Sequence, residues 1–214
     1  MKLLTFCLLA GVLPGWSETR GATFAPITLY VQWQQPAPEG VLLAIQEELD
    51  SIMDRIGLHF EWRDLAKAGH EVSPELAVVS FKGRCDLMGL GGKSKLEGAL
   101  GWTHVSDGQI LPFTDISCDR VRDFAQAGLV AINAGEREEK FGRAVGRVLA
   151  HELYHIFANT LHHASTGIAK EAYSVMDLLT DDFQFREKET HLLQTSRPKT
   201  MVAEPVAVSV SGSM

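Results

Sequence analysis

The sequence predicts an α+β domain in which a mixed twisted sheet is backed by one helix while a second, long helix carries paired histidines. Three observations point there. Residues 27–62 read as strand, helix, strand; residues 76–113 hold further short alternating runs; and beyond Asn133 a helical apolar stripe runs through His151-Glu152-Leu153-Tyr154-His155.

The elements follow in chain order. Ile27, Leu29, Val31 and Trp33 alternate with polar or amphipathic residues, the period of a strand, and Pro36 and Pro38 end it. Over residues 41–56 the apolar positions Leu42, Ile45, Leu49, Ile52, Met53 and Ile56 recur at helical spacing, and Gly57 supplies a left-handed stop. Leu58, Phe60 and Trp62 alternate again, so a parallel crossover is expected. A third strand is expected at residues 76–81. Residues 88–98, rich in Gly and Lys, read as a loop; the Gly89–Gly92 cluster precedes no helix and so does not read as a phosphate cradle. Residues 99–105 form a short strand, and residues 110–113 pair back with Pro112 confining that piece to an edge. Asn133 with Glu136 three residues on resembles a capping box opening a long helix. Phe141, Val145, Val148, Leu149, Leu153 and Ile156 stripe that helix, which ends near Asn159.

Composition bounds the setting. The 214 residues are 45% hydrophobic and 22% charged, enough apolar content for one compact core. Lys2 precedes an apolar run to Trp16 that Pro14-Gly15 interrupts, the pattern of a signal peptide over residues 1–17, with a buried N-terminal helix as the rival reading. The run is too short for a mature membrane anchor, and Cys7 sits too early for a lipoprotein acceptor. A secreted or periplasmic monomer is therefore expected, with a catalytic domain over residues 18–195 and a flexible tail over 196–214. Cleavage after Ser17 leaves 19 basic residues against 27 acidic, a net charge of −8, which argues against nucleic-acid binding. It also leaves Cys85 and Cys118 as a pair in an oxidising compartment, where a disulfide between them contributes about 3 kcal/mol.

On a helix, positions i and i+4 project to one side, so His151 and His155 can share a metal ion, with zinc the natural choice. Glu152 beside them can take a proton from a water activated by that ion and pass it to a leaving amine. A catalytic zinc takes three protein ligands and keeps one position open. His162 and His163 follow the helix, and one of the two is expected to bind.

This pattern resembles the metzincin clan of zinc peptidases, whose motif is HExxHxxGxxH followed by a Met-containing turn. His151, Glu152 and His155 match as ligand, general base and ligand. Ala158 stands at the Gly position and Leu161 at the third His, so the spacing of the third ligand is altered. With Asn159 as the turning residue, His162 needs one inserted residue and His163 two. Tyr173-Ser174-Val175-Met176 resembles the Met-turn, in which Met176 would floor the metal; Ser174 with Asp177 is equally a capping box opening a helix.

The resemblance implies a secreted bacterial type of HExxH zincin, a zincin-like layout over residues 27–182, and a peptide or protein substrate bound antiparallel to the strand at residues 99–105. Two alternatives stand beside it: Glu171 as third ligand, as in zinc peptidases with a downstream glutamate, and a non-proteolytic metal-binding or protein-binding module on the same scaffold. An intact Glu152 weighs against the second, since a structural zinc needs no carboxylate there. His59, His70, His104 and His191 lie outside the motif and read as surface or satisfied polar residues rather than ligands, with His104 the one that could face substrate if the strand at residues 99–105 borders the cleft.

Overall fold

A computed structural model describes residues 26–69, 73–92 and 97–196. The signal segment with Cys7, His70, and the tail beyond Ser196 lie outside the described residues, as do residues 93–96 of the Gly- and Lys-rich loop.

Sequence period becomes structure directly at the start of the domain. Strand β1 (Ile27–Trp33) leads into helix α1 (Glu39–Met53), a short 3-10 turn and Gly57, whose φ of 84° is the left-handed stop. Strand β2 (Phe60–Asp64) returns parallel to β1. Strand β3 (Leu76–Lys82) is parallel to β1 on its other side, and its alternation is exact: Ala77, Val79 and Phe81 are buried while their neighbours are partly exposed.

Strands β4 (Gly101–Ser106) and β5 (Gln109–Ser117) form an antiparallel hairpin, giving a five-stranded mixed sheet of order β2-β1-β3-β5-β4. This corrects one expectation. Pro112 does not put its strand at an edge, because β5 is internal, between β3 and β4. The proline is tolerated because β3 pairs with β5 only from Phe113 onward, and the β4 pairing is irregular here, stepping from Thr103↔Thr114 to Val105↔Ile110. Its missing N–H therefore falls where no regular ladder bond is needed.

Helix α2 (Cys118–Ala131) starts directly from β5 and was not legible in the sequence. The Cys85–Cys118 disulfide joins the chain after β3 to its first residue, with Cα atoms 4.9 Å apart. The long helix α3 (Arg137–Phe157) follows through a 3-10 turn. Asn133 makes no side-chain capping bond; its carbonyl accepts from the Glu136 N–H instead, so the expected capping box is absent. Helix α3 ends at Phe157, close to Asn159 as expected, with Asn159 held at φ 46°. Two short helices close the domain, α4 (Val175–Leu179) and α5 (Glu187–Ser196). Among the described residues, no helix is long and apolar enough to cross a membrane.

The expected α+β layout is thus present: a mixed sheet, the backing helix α1, and the long helix bearing His151 and His155. Val41, Ile45, Leu49 and Ile52 of α1 join Val145, Leu149 and Leu153 of α3 and the buried positions of β1 and β3 in one core. The α1–α3 contact is close because glycines face it. A Cβ on Gly142 would lie 2.5 Å from the Ala44 Cβ, and one on Gly146 3.0 Å from the Ile45 carbonyl oxygen. A wholly buried arginine pins the same contact. Arg147 Nε donates to Glu48 Oε1 at 2.6 Å and its Nη1 to the Asp177 carbonyl at 2.7 Å, while Nη2 finds no partner.

Candidate metal centre

His151 and His155 sit one turn apart on α3, 7% and 5% exposed. Each ring is oriented through Nδ1. His151 Nδ1 lies 2.8 Å from the Ile168 carbonyl oxygen and His155 Nδ1 lies 2.7 Å from that of Thr160. A carbonyl only accepts, so both Nδ1 atoms carry the proton and both Nε2 atoms present a lone pair. Those lone pairs converge, with Nε2 to Nε2 at 3.1 Å.

Burial holds both imidazoles in the neutral form. It pushes His151 down to about 4, against an upward pull from the Ile168 bond, and it lowers His155 as well. Two neutral, buried nitrogens aimed at one point repel unless a cation or a proton sits between them. The donor set therefore fits a metal ion: tetrahedral zinc at about 2.0–2.1 Å from each nitrogen sets its ligands about 3.3 Å apart.

The chain beyond α3 returns a third imidazole. Asn159 reverses the direction, and Ala164 N–H bonds to the Ala169 carbonyl at 2.8 Å across a turn in which Gly167 takes φ 76°. A side chain at Gly167 would meet the Gln184 carbonyl oxygen at 2.6 Å, so the glycine is required twice over. This turn delivers the Ile168 carbonyl to His151 and sets His163 over the pair. One ligand atom from each of His151, His155 and His163 lies within 4.8 Å of the others, and the His163 ring stacks on His151 with centroids 5.2 Å apart. His162 stands outside that group. It is exposed, and its backbone carbonyl accepts from the Tyr154 hydroxyl. Glu171 lines the cleft but stands outside the three-histidine group.

Glu152 is 5% exposed and projects from α3 toward the sheet edge. Thr103 Oγ1 of β4 lies 2.8 Å from Glu152 Oε2. Burial raises the carboxyl to about 7, and the Thr103 bond offsets part of that rise. The histidines and Glu152 open into a cleft of about 550 Å3 whose other wall is residues 98–103, with Phe124 of α2 and Leu161 also lining it. The strand expected at residues 99–105 is found as β4, Gly101–Ser106, an edge strand bordering the cleft.

Two readings left open by the sequence are decided. Met176 is 70% exposed in the first turn of α4, where Ser174 and Asp177 form a complete capping box, so it does not floor the site. Tyr173 approaches instead, its ring 5.6 Å from that of His151 and its hydroxyl bonded to the same Ile168 carbonyl. His104 does not face the cleft. Alternation sends Gly101 and Thr103 toward Glu152, and His104 bonds Asp115 at 2.9 Å in a separate hollow with Ser80 and Lys82. His59 pairs with Asp54, and His191 lies on α5, both away from the cleft. Sequence reasoning missed Thr103 and Ile168, which carry no motif of their own, and named Tyr173 only as the start of the Met-turn resemblance.

No family model matches this chain, and no curated protein matches it by sequence. Among solved structures it is similar to archaemetzincin from Methanopyrus kandleri, with a TM-score of 0.46 and 12% identity over 83% of this chain and 97% of that one.

Proposed function

We propose that this chain is a secreted zinc-dependent endopeptidase with His151, His155 and His163 as metal ligands and Glu152 as general base. The observation that carries the reading is the convergence of two buried Nε2 lone pairs, each fixed by a carbonyl on its Nδ1, one residue from a buried carboxylate in an open cleft. Support for export comes from the buried Cys85–Cys118 disulfide, which belongs to an oxidising compartment.

Zinc, when bound, supplies Lewis acidity that polarises a carbonyl and acidifies water. The chain supplies the rest. Glu152 takes a proton from the water that adds to the peptide carbonyl carbon, and returns it to the amine nitrogen as the C–N bond breaks. The edge of β4, unpaired among the described residues, offers backbone donors and acceptors to an extended peptide, in keeping with a cleft wall built from residues 98–103. The closed Nδ1 bonds keep both imidazoles in the ligating tautomer through the cycle.

The test compares wild type with Glu152→Ala for zinc content by elemental analysis and for cleavage of a mixed peptide library. One zinc per chain in both, with cleavage in wild type alone, is the expected result. Zinc in both without cleavage in either replaces the peptidase with a metal-binding module, and absence of zinc from both refutes the metal centre.

A further inference from the structure

Strand β4 does more at the cleft than offer its edge. Gly101 and Thr103, two residues apart, project to one side of the strand, and both meet Glu152. Thr103 Oγ1 lies 2.8 Å from Oε2 and 3.1 Å from the Glu152 carbonyl oxygen. A Cβ on Gly101 would lie 2.9 Å from Glu152 Cγ, 3.0 Å from Oε1 and 3.0 Å from Val148 Cγ1. Any side chain at Gly101 would therefore push the carboxylate off its position or lift the strand from α3.

We propose that Thr103 is a positioning residue for the base: its hydroxyl holds Glu152 Oε2, and the bare Gly101 leaves room for Oε1 as the oxygen that faces the reacting water. The inference rests on the reading of Glu152 as general base. Glutamate has three rotatable bonds, and a buried carboxylate without a fixed donor samples several of them. A threonine donor suits the task because β-branching restricts χ1, so the hydroxyl is aimed before the carboxylate arrives. Its backbone is fixed in turn, since Thr103 is paired with Thr114 of β5. The strand proposed to receive the peptide thus also sets the base, so the attacking water and the scissile carbonyl are registered against one element.

Three variants test this: Thr103→Val, which keeps the shape and removes the hydroxyl; Thr103→Ser, which keeps the hydroxyl; and Gly101→Ala. Zinc content, kcat and KM on one cleaved peptide, and crystal structures of the metal-free variants are read for each. In Thr103→Val, kcat is expected to fall about 10–100-fold with KM and zinc content held, and Glu152 to leave its single position. Thr103→Ser is expected to recover most of kcat, and Gly101→Ala to displace Glu152 with zinc retained. An unchanged kcat with Glu152 in place in Thr103→Val overturns the proposal, as does a loss in Thr103→Ser equal to that in Thr103→Val. Should wild type hold zinc yet cleave no peptide, the hydrolase reading fails by itself. The crystal structures then decide alone: a displaced carboxylate in Thr103→Val supports the clamp and an unmoved one overturns it.

Discussion

Removing Glu48 is predicted to unfasten α3, the helix that carries His151 and His155, from its backing helix α1. Arg147 stands one turn before His151 on α3 and is 0% exposed; its charge is met by Glu48 Oε1 at 2.6 Å and by the Asp177 carbonyl at 2.7 Å. The Glu48→Ala change leaves that guanidinium buried without a counter-charge, and deleting one partner of a buried pair costs about 3–5 kcal/mol. Arg143 also loses its 3.5 Å contact with Glu48 but keeps Asp181 and Glu139, so the effect concentrates on Arg147. At about 2–4 °C per kcal/mol for a domain of this size, the melting temperature should fall by roughly 6–20 °C. Pairing the change with Arg147→Met removes the stranded charge together with its unpartnered Nη2, so the double variant should regain most of the loss. Urea unfolding of the single and double variants measures both. A Glu48→Ala protein within about 1 kcal/mol of wild type, or a double variant no more stable than the single one, would refute the reasoning.

Three further outcomes follow from the site and its surroundings. His163→Ala should weaken zinc binding, measured by chelator competition, by more than the about 10–100-fold typical of losing a supporting contact; His162→Ala and Glu171→Ala should leave it near wild type, and a larger loss in either would reassign the third ligand. Phe124→Ala should lower kcat/KM by roughly 10-fold or more for peptides carrying a large apolar side chain and spare peptides with small ones, whereas equal losses for both would remove Phe124 from substrate contact. Asp177 provides a pH test. Burial acts on its carboxyl most strongly and upward, but the bonds from Lys170 and Ser174 bring the folded value below the ordinary 3.8. A depressed folded value means a stabilisation fully present above about pH 4 and lost as the pH falls through the folded value. The gap in stability between wild type and Asp177→Asn should therefore narrow on going from about pH 5 to about pH 2, and a gap that widens would contradict the sign.

The legible elements share a physical trait: one face carries large apolar residues at a clean period. Ile45, Leu49 and Ile52 mark α1, and Ala77, Val79 and Phe81 mark β3, because burial there is paid in aliphatic and aromatic area. Helix α2 hid because its buried positions are Cys118, Val121, Arg122, Ala125 and Leu129, which hold the helical spacing with small or charged side chains. The spacing of Val121, Ala125 and Leu129 was the one signal available. Pro112 misled because a local rule met a sheet whose pairing begins one residue later. In the site, His151, Glu152 and His155 were readable since a single helix fixes their relation. Proposing His163 rather than His162 as third ligand needed the turn at residues 164–170, and Thr103 needed the sheet order, since 49 residues separate it from Glu152. The two readings of Met176 differed by whether Ser174 caps a helix, and the side-chain bond to the Asp177 N–H decides it.

The carbonyls that steady His151 and His155 both come from the segment that also carries His163: Thr160 on one side, Ile168 on the other. Under the proposed metal centre, that short stretch contributes a ligand and selects the tautomer of the remaining two. On that proposal, loading of the centre and ordering of the stretch are a single thermodynamic event, each favouring the other by the same free energy. A nick or insertion between residues 160 and 168 would, on the same proposal, cost the protein its metal while leaving the helix that bears the recognisable motif intact.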